Sequence, residues 1–195
     1  MSADSMERRL RASDAELTWG LAGELDRGFE SLVYAYQHRL YAFALAMSGE
    51  PADAEEIAQD ALLRAYGALR QYPPDRIRAL RLSSWLHQIA LNVFRNRARR
   101  RRLRVVPFEP ETPVKDSAPG PERQALSRAA LRELANLVSG LPEAQRAAVV
   151  LRCVQGMTYA ETADLLGQPE GTVKSNVHRG LQTLRRRAGW LSEVG

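Results

Sequence analysis

The stretch MTYAETADLLGQPEGTVKSNVHRGLQTLRRR, Met157 to Arg187, decides how this chain is read. Thr158 and Glu161 have capping-box spacing, so an amphipathic helix starts there. Gly167-Gln168-Pro169 makes a tight turn. The helix that follows sets Val173, Val177, Leu181 and Leu184 on one face. Lys174, Ser175, His178, Arg179 and Gln182 lie toward the other. This is the sequence form of a helix-turn-helix, whose second helix enters a DNA major groove. Arg and Lys can donate to guanine O6 and N7, and Ser is a less discriminating partner. The helix start at Glu170-Gly171-Thr172 offers backbone N–H groups to a phosphate. The competing reading is an αα-hairpin whose polar face meets only water. The compact turn, the small Gly171 and the clustered donors favour DNA.

Working outward, Pro142 fits the first turn of a helix that runs to Val154, and Gln124–Val138 forms another, bounded by Ser139-Gly140. Five of the ten prolines fall between Pro107 and Pro121, in a segment that can continue neither helix nor strand. It reads as an extended linker carrying Glu109, Glu111 and Asp116. Before it, three amphipathic helices are expected. The first carries Phe29, Leu32, Val33, Tyr36, Leu40, Phe43, Ala44 and Met47 inward and stops at Gly49 and Pro51. The second is capped by Asp53, carries Ile57, Ala58, Ala61, Leu62, Ala65 and Leu69, and ends at Tyr72-Pro73-Pro74. The third is capped by Ser83 or Ser84 and turns Trp85, Leu86, Ile89, Ala90 and Val93 inward. A short helix from about Asp14 is weakened by Gly20 and Gly23. No segment alternates with period two. The expected fold is all-α, two small helical domains joined by a Pro-rich extended linker. The boundaries are 1–25 for an N-terminal extension, 26–104, 105–123 for the linker, and 124–190.

The chain has 195 residues, net charge +5 and a pI of about 9.8. Distribution matters more than the total. Seven of the ten residues from Arg95 to Arg104 are arginine, and Arg185-Arg186-Arg187 ends the last motif. Such clusters suit phosphate backbones through counterion release, although a solvated helix end can also be basic. On the helix from Trp85 to Arg104, the outward face holds Gln88, Asn92, Arg95, Asn96, Arg99 and Arg100. Amides can pair with base edges and arginines with phosphates. Trp85 and Phe94 are either core or a stacking platform for an unpaired base. The helix from Asp53 carries an acidic face of Asp53, Glu56, Gln59 and Asp60, either plain surface or a dock for a basic partner.

The sole cysteine, Cys153, stands among Val149, Val150, Leu151 and Val154 and reads as a small buried apolar residue. His38, His87 and His178 lie on separate segments without metal-ligand spacing. No nucleophile elbow or phosphate-cradling glycine loop occurs. No catalytic residue, cofactor or metal is therefore expected. The N-terminus has no apolar signal core and no run reaches the length of a membrane span, so a cytoplasmic protein without membrane insertion is expected.

Three segments together resemble a family. DAEEIAQDALLRAYGAL, WLHQIALNVFRNRARR and LPEAQRAAVVLRCVQGMTYAETADLLGQPEGTVKSNVHRGLQTLRRR are similar, in order, to the core-polymerase-binding helix, the −10-reading helix and the −35-reading domain of bacterial sigma factors of the extracytoplasmic-function (ECF) group. The resemblance covers about residues 28–104 and 124–188. It implies a subunit that binds core RNA polymerase, recognises −10 and −35 promoter elements, and initiates transcription of a stress or envelope regulon. Asp53, Glu56, Gln59, Asp60 and Arg64 would meet polymerase. Gln88, Asn92, Arg95, Asn96, Arg99 and Arg100 would meet the −10 element. Lys174, Ser175, Asn176, His178, Arg179 and Gln182 would meet the −35 element. Promoter DNA and an anti-sigma factor join core polymerase as implied partners, and no obligate homo-oligomer is expected. The linker would thread through polymerase near the RNA exit path. Asn96, Leu91 and Asn176 depart from the family's usual aspartate, arginine and arginine, which bears on the promoter letters read. The loop from Tyr72 to Leu82 is arginine-rich, in a neighbourhood where the family holds a flipped −10 base. A stand-alone helix-turn-helix regulator would explain the second domain and leave the acidic helix and arginine run without a role.

Overall fold

A computed structural model describes residues 14–103 and 132–193. Every regular element among the described residues is a helix. The first bundle contains α1 (14–23), α2 (Leu25–Ser48), α3 (Pro51–Leu69), α4 (Pro74–Arg78) and α5 (Leu82–Leu103). The second contains α6 (132–139), α7 (Glu143–Val149), a π-helical turn at Val150–Val154, α8 (Tyr159–Leu166) and α9 (Glu170–Glu193). The expected linker and the first half of the expected 124–138 helix lie outside the described residues.

The expected apolar stripes form the core of the first bundle. Leu32, Leu40, Phe43 and Met47 of α2 meet Ile57, Ala61, Ala65 and Leu69 of α3, and Leu86, Ala90 and Val93 of α5. Alanines on α3 keep the helices close, so burial comes from large residues on α2 against small ones opposite. Trp85 and Ile89 are only half-buried. Instead His87 and Leu91 are fully buried, so α5 hides a wider face than its apolar stripe.

Helix starts differ from the expected caps. α3 begins at Pro51 with Glu50 as N-cap, so Asp53 sits inside the first turn. α5 begins at Leu82, so Ser83 and Ser84 are also inside. The N–H of Ser83 donates to the Asp14 carboxylate at 3.3 Å. Asp14 also accepts from the Tyr36 hydroxyl, so α1 caps α5 from a distance in sequence. The expected Tyr72–Leu82 loop contains α4, started by Pro74.

In the second bundle the capping box at Thr158 forms as expected. The Glu161 N–H donates to Thr158 Oγ1 at 3.2 Å, and the Thr158 N–H to Glu161 Oε2 at 2.9 Å. Gly167 takes φ +63°, the left-handed region that lets α8 end and α9 leave at once. Gly180 has a different reason: a Cβ there would lie 2.6 Å from Val149 Cγ2, so α9 crosses α7 at glycine distance. Cys153 is exposed, against expectation. The helix widens here, with the Gln155 N–H donating to Val150 O at 3.0 Å, and Cys153 and Val154 fall on the outer side.

The bundles touch. The π turn packs on α2 and α8 packs on α5. Arg146 of α7 donates to Leu141 O at 2.9 Å and also to Met47 O, an unpaired carbonyl at the end of α2. That end of α2 carries no basic residue of its own, so Arg146 supplies the cation it favours. Arg95–Glu143 at 3.1 Å and Arg81–Glu161 at 2.5 Å join the same two bundles.

A candidate nucleic-acid interface on two helices

The −35 candidates share one flank of α9, ordered largely by the helix itself. Lys174 pairs with Glu170 at 2.7 Å and lies 5.5 Å from the centre of the Tyr159 ring. Its hydrogen bond to Glu170 raises the ammonium pKa. Ser175 Oγ donates back to Gly171 O at 2.9 Å. His178 and Gln182 are linked at 3.0 Å. Arg179 is exposed. Lys174, Ser175, His178 and Arg179 line one open concavity. Asn176 is the exception: it is 6% exposed, because Val173 and Val177 turn that side of the helix into the core. Its side chain faces Gln168 and Arg179 rather than solvent.

The −10 candidates follow α5 at helical spacing. Asn92, Asn96, Arg99 and Arg100 are exposed, and Gln88 is half-buried and donates to Asn92 Oδ1 at 3.3 Å. Arg95 shares their face but is held by Glu143 of the second bundle. Trp85 packs 6.1 Å from Tyr72, whose ring centre also lies 3.7 Å from the Arg76 guanidinium. The aromatic pair is therefore partly buried rather than a free platform.

The polymerase candidates on α3 divide into two sets. Asp53 is 8% exposed and accepts Arg101 at 2.7 Å and Arg97 at 3.5 Å. Glu56 also pairs with Arg97. These two carboxylates are turned to α5, so Asp53 in particular presents no free surface. Gln59, Asp60 and Arg64 stay exposed or half-exposed, with Asp60–Arg64 at 3.1 Å. Leu63 beside them is 72% exposed. Sequence reasoning passed over Leu63. The available signal was its absence from the buried stripe of α3.

Buried titratable groups set the tolerance of this frame. His87 Nδ1 lies 2.7 Å from Ser83 O, and its Nε2 has no partner. Burial, with the positive Arg39 nearby, pushes its pKa down to about 4, so the ring is neutral at pH 7. Burial raises the Glu161 pKa, but the Thr158 N–H and hydroxyl together with Arg81 outweigh it and hold the carboxyl below its usual range. Among the described residues no group of three or more His, Cys, Asp or Glu could hold a metal, and no helix is long and apolar enough to cross a membrane.

Two helices with exposed donor faces, α5 and α9, and an acid-bearing helix, α3, packed on α5, are the arrangement expected of a promoter-specificity subunit of the sigma-70 type. Comparison with known proteins agrees. The sigma-70 region 2 family matches residues 32–104, and sigma-70 region 4 matches residues 131–184. ECF RNA polymerase sigma factor SigM of Mycobacterium tuberculosis is 34% identical over 184 residues, covering 94% of this chain and 89% of that protein. ECF RNA polymerase sigma factor SigE of Mycolicibacterium smegmatis is 34% identical over 161 residues, covering 80% of this chain but only 60% of that longer protein. The Bartonella quintana sigma factor RpoE, solved in complex with the anti-sigma factor NepR, superposes with a TM-score of 0.63 at 24% identity, over 81% of this chain and 94% of that one, and shows the shared fold. This chain belongs to the ECF sigma factors. Its function is promoter recognition and transcription initiation with RNA polymerase.

Proposed function

We propose a residue-level division of that task. The exposed face of α9, Lys174, Ser175, His178, Arg179 and Gln182, reads the −35 element from the major groove. The face of α5 from Gln88 to Arg100 engages the −10 element, Gln88, Asn92 and Asn96 through base edges and Arg95, Arg99 and Arg100 through phosphates. Glu56, Gln59, Asp60, Leu63 and Arg64 of α3 dock on core polymerase. Asp53 orients α5 through Arg97 and Arg101 instead of touching polymerase, and Asn176 acts from beneath the α9 face. The −10 and polymerase-binding domain is taken as residues 26–104, with α1 packed onto it, and the −35 domain as residues 124–190. The observation that carries this reading is the two separate exposed donor faces on α5 and α9.

The subunit contributes no catalytic residue and acts in the cytoplasm, where its polymerase is. A sigma factor of the same fold was solved in complex with an anti-sigma factor, which supports the same kind of partner here; membership of the ECF group supports a stress or envelope regulon. The test is transcription by purified core polymerase plus this protein over a promoter library randomised through both elements. Transcripts that depend on the added protein and enrich two sequence blocks support the reading. No binding to core and no added transcripts overturn it.

A further inference from the structure

We propose that Asn176 is a positioning residue for promoter specificity: from beneath the recognition face it fixes which edge of the Arg179 guanidinium meets a base. This rests on α9 being the −35-reading helix. A buried primary amide needs partners for its donors and its acceptor. Asn176 finds them on the recognition face and in the turn. Its Nδ2 donates to Gln168 Oε1 at 3.4 Å, and its Oδ1 accepts from Arg179 Nη2 at 3.2 Å. Arg179 Nε donates to Ser175 O at 3.3 Å.

The consequence follows from the donor inventory of arginine. A guanidinium has five N–H groups in a fixed plane. The protein occupies the Nε hydrogen and one Nη2 hydrogen, which together form one bidentate edge. Both Nη1 hydrogens and the second Nη2 hydrogen remain. The terminal Nη1–Nη2 edge is thus the one left for a paired acceptor such as guanine O6 and N7. Holding the long side chain in this pose before DNA arrives also removes rotamer freedom that would otherwise be lost on binding. The chain of contacts runs Gln168, Asn176, Arg179, so a residue of the turn is coupled to a base-reading contact. Alanine at 176 would leave Arg179 tied only to the Ser175 carbonyl and free to turn either edge outward.

The experiment uses the full chain with core polymerase and a promoter library randomised over the −35 element, with base preference read at each position. Arg179→Ala is expected to lower discrimination at the base it reads. Asn176→Ala is expected to lower discrimination at that same position by about two- to tenfold, the range of one hydrogen bond. Asn176→Asp keeps the acceptor for Arg179 and is expected to restore the preference. Unchanged preferences at the −10 element show that each variant is folded and active. If Arg179→Ala alters the profile but Asn176→Ala does not, positioning by Asn176 is overturned. Equal loss in Asn176→Asp and Asn176→Ala also overturns it, since packing rather than the acceptor would then matter. If Arg179→Ala leaves the profile unchanged, the base-reading role of Arg179 itself has failed.

Discussion

The two helices proposed to face DNA reach a basic surface by different routes. On α9 the polar side chains are ordered by their own helix: Lys174 by Glu170, Ser175 by Gly171 O, Gln182 by His178. On α5 the arginines are ordered by acids from elsewhere: Arg97 and Arg101 by Asp53 of α3, Arg95 by Glu143 of α7. The difference teaches that the polar face of α9 is ordered without help from the other bundle. On the proposed −10 face of α5, Arg95 is held by the other bundle, while Arg97 and Arg101 are turned to α3 beside it. Under the proposed function, Arg95 would serve a phosphate only once released by Glu143, so separation of the bundles and use of the −10 face would be coupled.

The helices also differ in what they bury. α5 buries a titratable ring, His87, and α9 buries a neutral amide, Asn176. Because the folded-state pKa of His87, about 4, lies below the unfolded value of about 6.5, the unfolded chain binds the proton more tightly. The stability from a neutral His87 is present above about pH 6.5 and lost as pH falls toward 4. The loss is on the order of 3 kcal/mol when complete. Hydrogen exchange between pH 7 and 4.5 is therefore expected to show the first bundle loosening before the second, and His87→Leu to flatten that dependence. Equal loosening of both bundles breaks the contrast.

Next in size is the capping box. Thr158→Ala is expected to destabilise the second bundle by about 1 kcal/mol, read as faster exchange in α8 with α5 unaffected. Arg100→Ala is expected to weaken DNA binding across all sequences and to reduce the slope of log K against log salt by about 1, without altering base preferences. A changed preference would move Arg100 from phosphate to base contact. The smallest effect belongs to Glu143→Gln. The Arg95–Glu143 pair is about 40% exposed on each side, so its loss is worth under about 1 kcal/mol. It is expected to tighten binding of a −10 oligonucleotide by at most about fivefold, measured by fluorescence anisotropy. Weaker binding would show that Glu143 orients Arg95 instead of competing for it.

Much of this was legible in the sequence, because helical periodicity and local caps are short-range signals. The stripes of α2 and α3, the Thr158–Glu161 box and the Gly167 turn needed only neighbours along the chain. What was missed depends on distant contacts. Asp53 read as free acidic surface, and its burial follows from arginines 44 and 48 residues away in sequence. The cap of α5 comes from Asp14, which no local pattern reveals. Asn176 entered the −35 set only through the family resemblance, and only the packing of Val173 and Val177 shows that it lies under the face rather than on it. Cys153 reads as buried from its apolar neighbours in sequence, and the π-helical turn that puts it on the outer side is not visible in that composition.

The central claim is that α5 and α9 are separate grips on one promoter. The direct measurement is library-scale transcription with core polymerase, comparing an Asn92→Ala, Asn96→Ala double variant with a Lys174→Ala, Arg179→Ala double variant. The account predicts that the first loses sequence information at the −10 block alone and the second at the −35 block alone. Loss of both blocks together in either variant, or of neither in both, would contradict it.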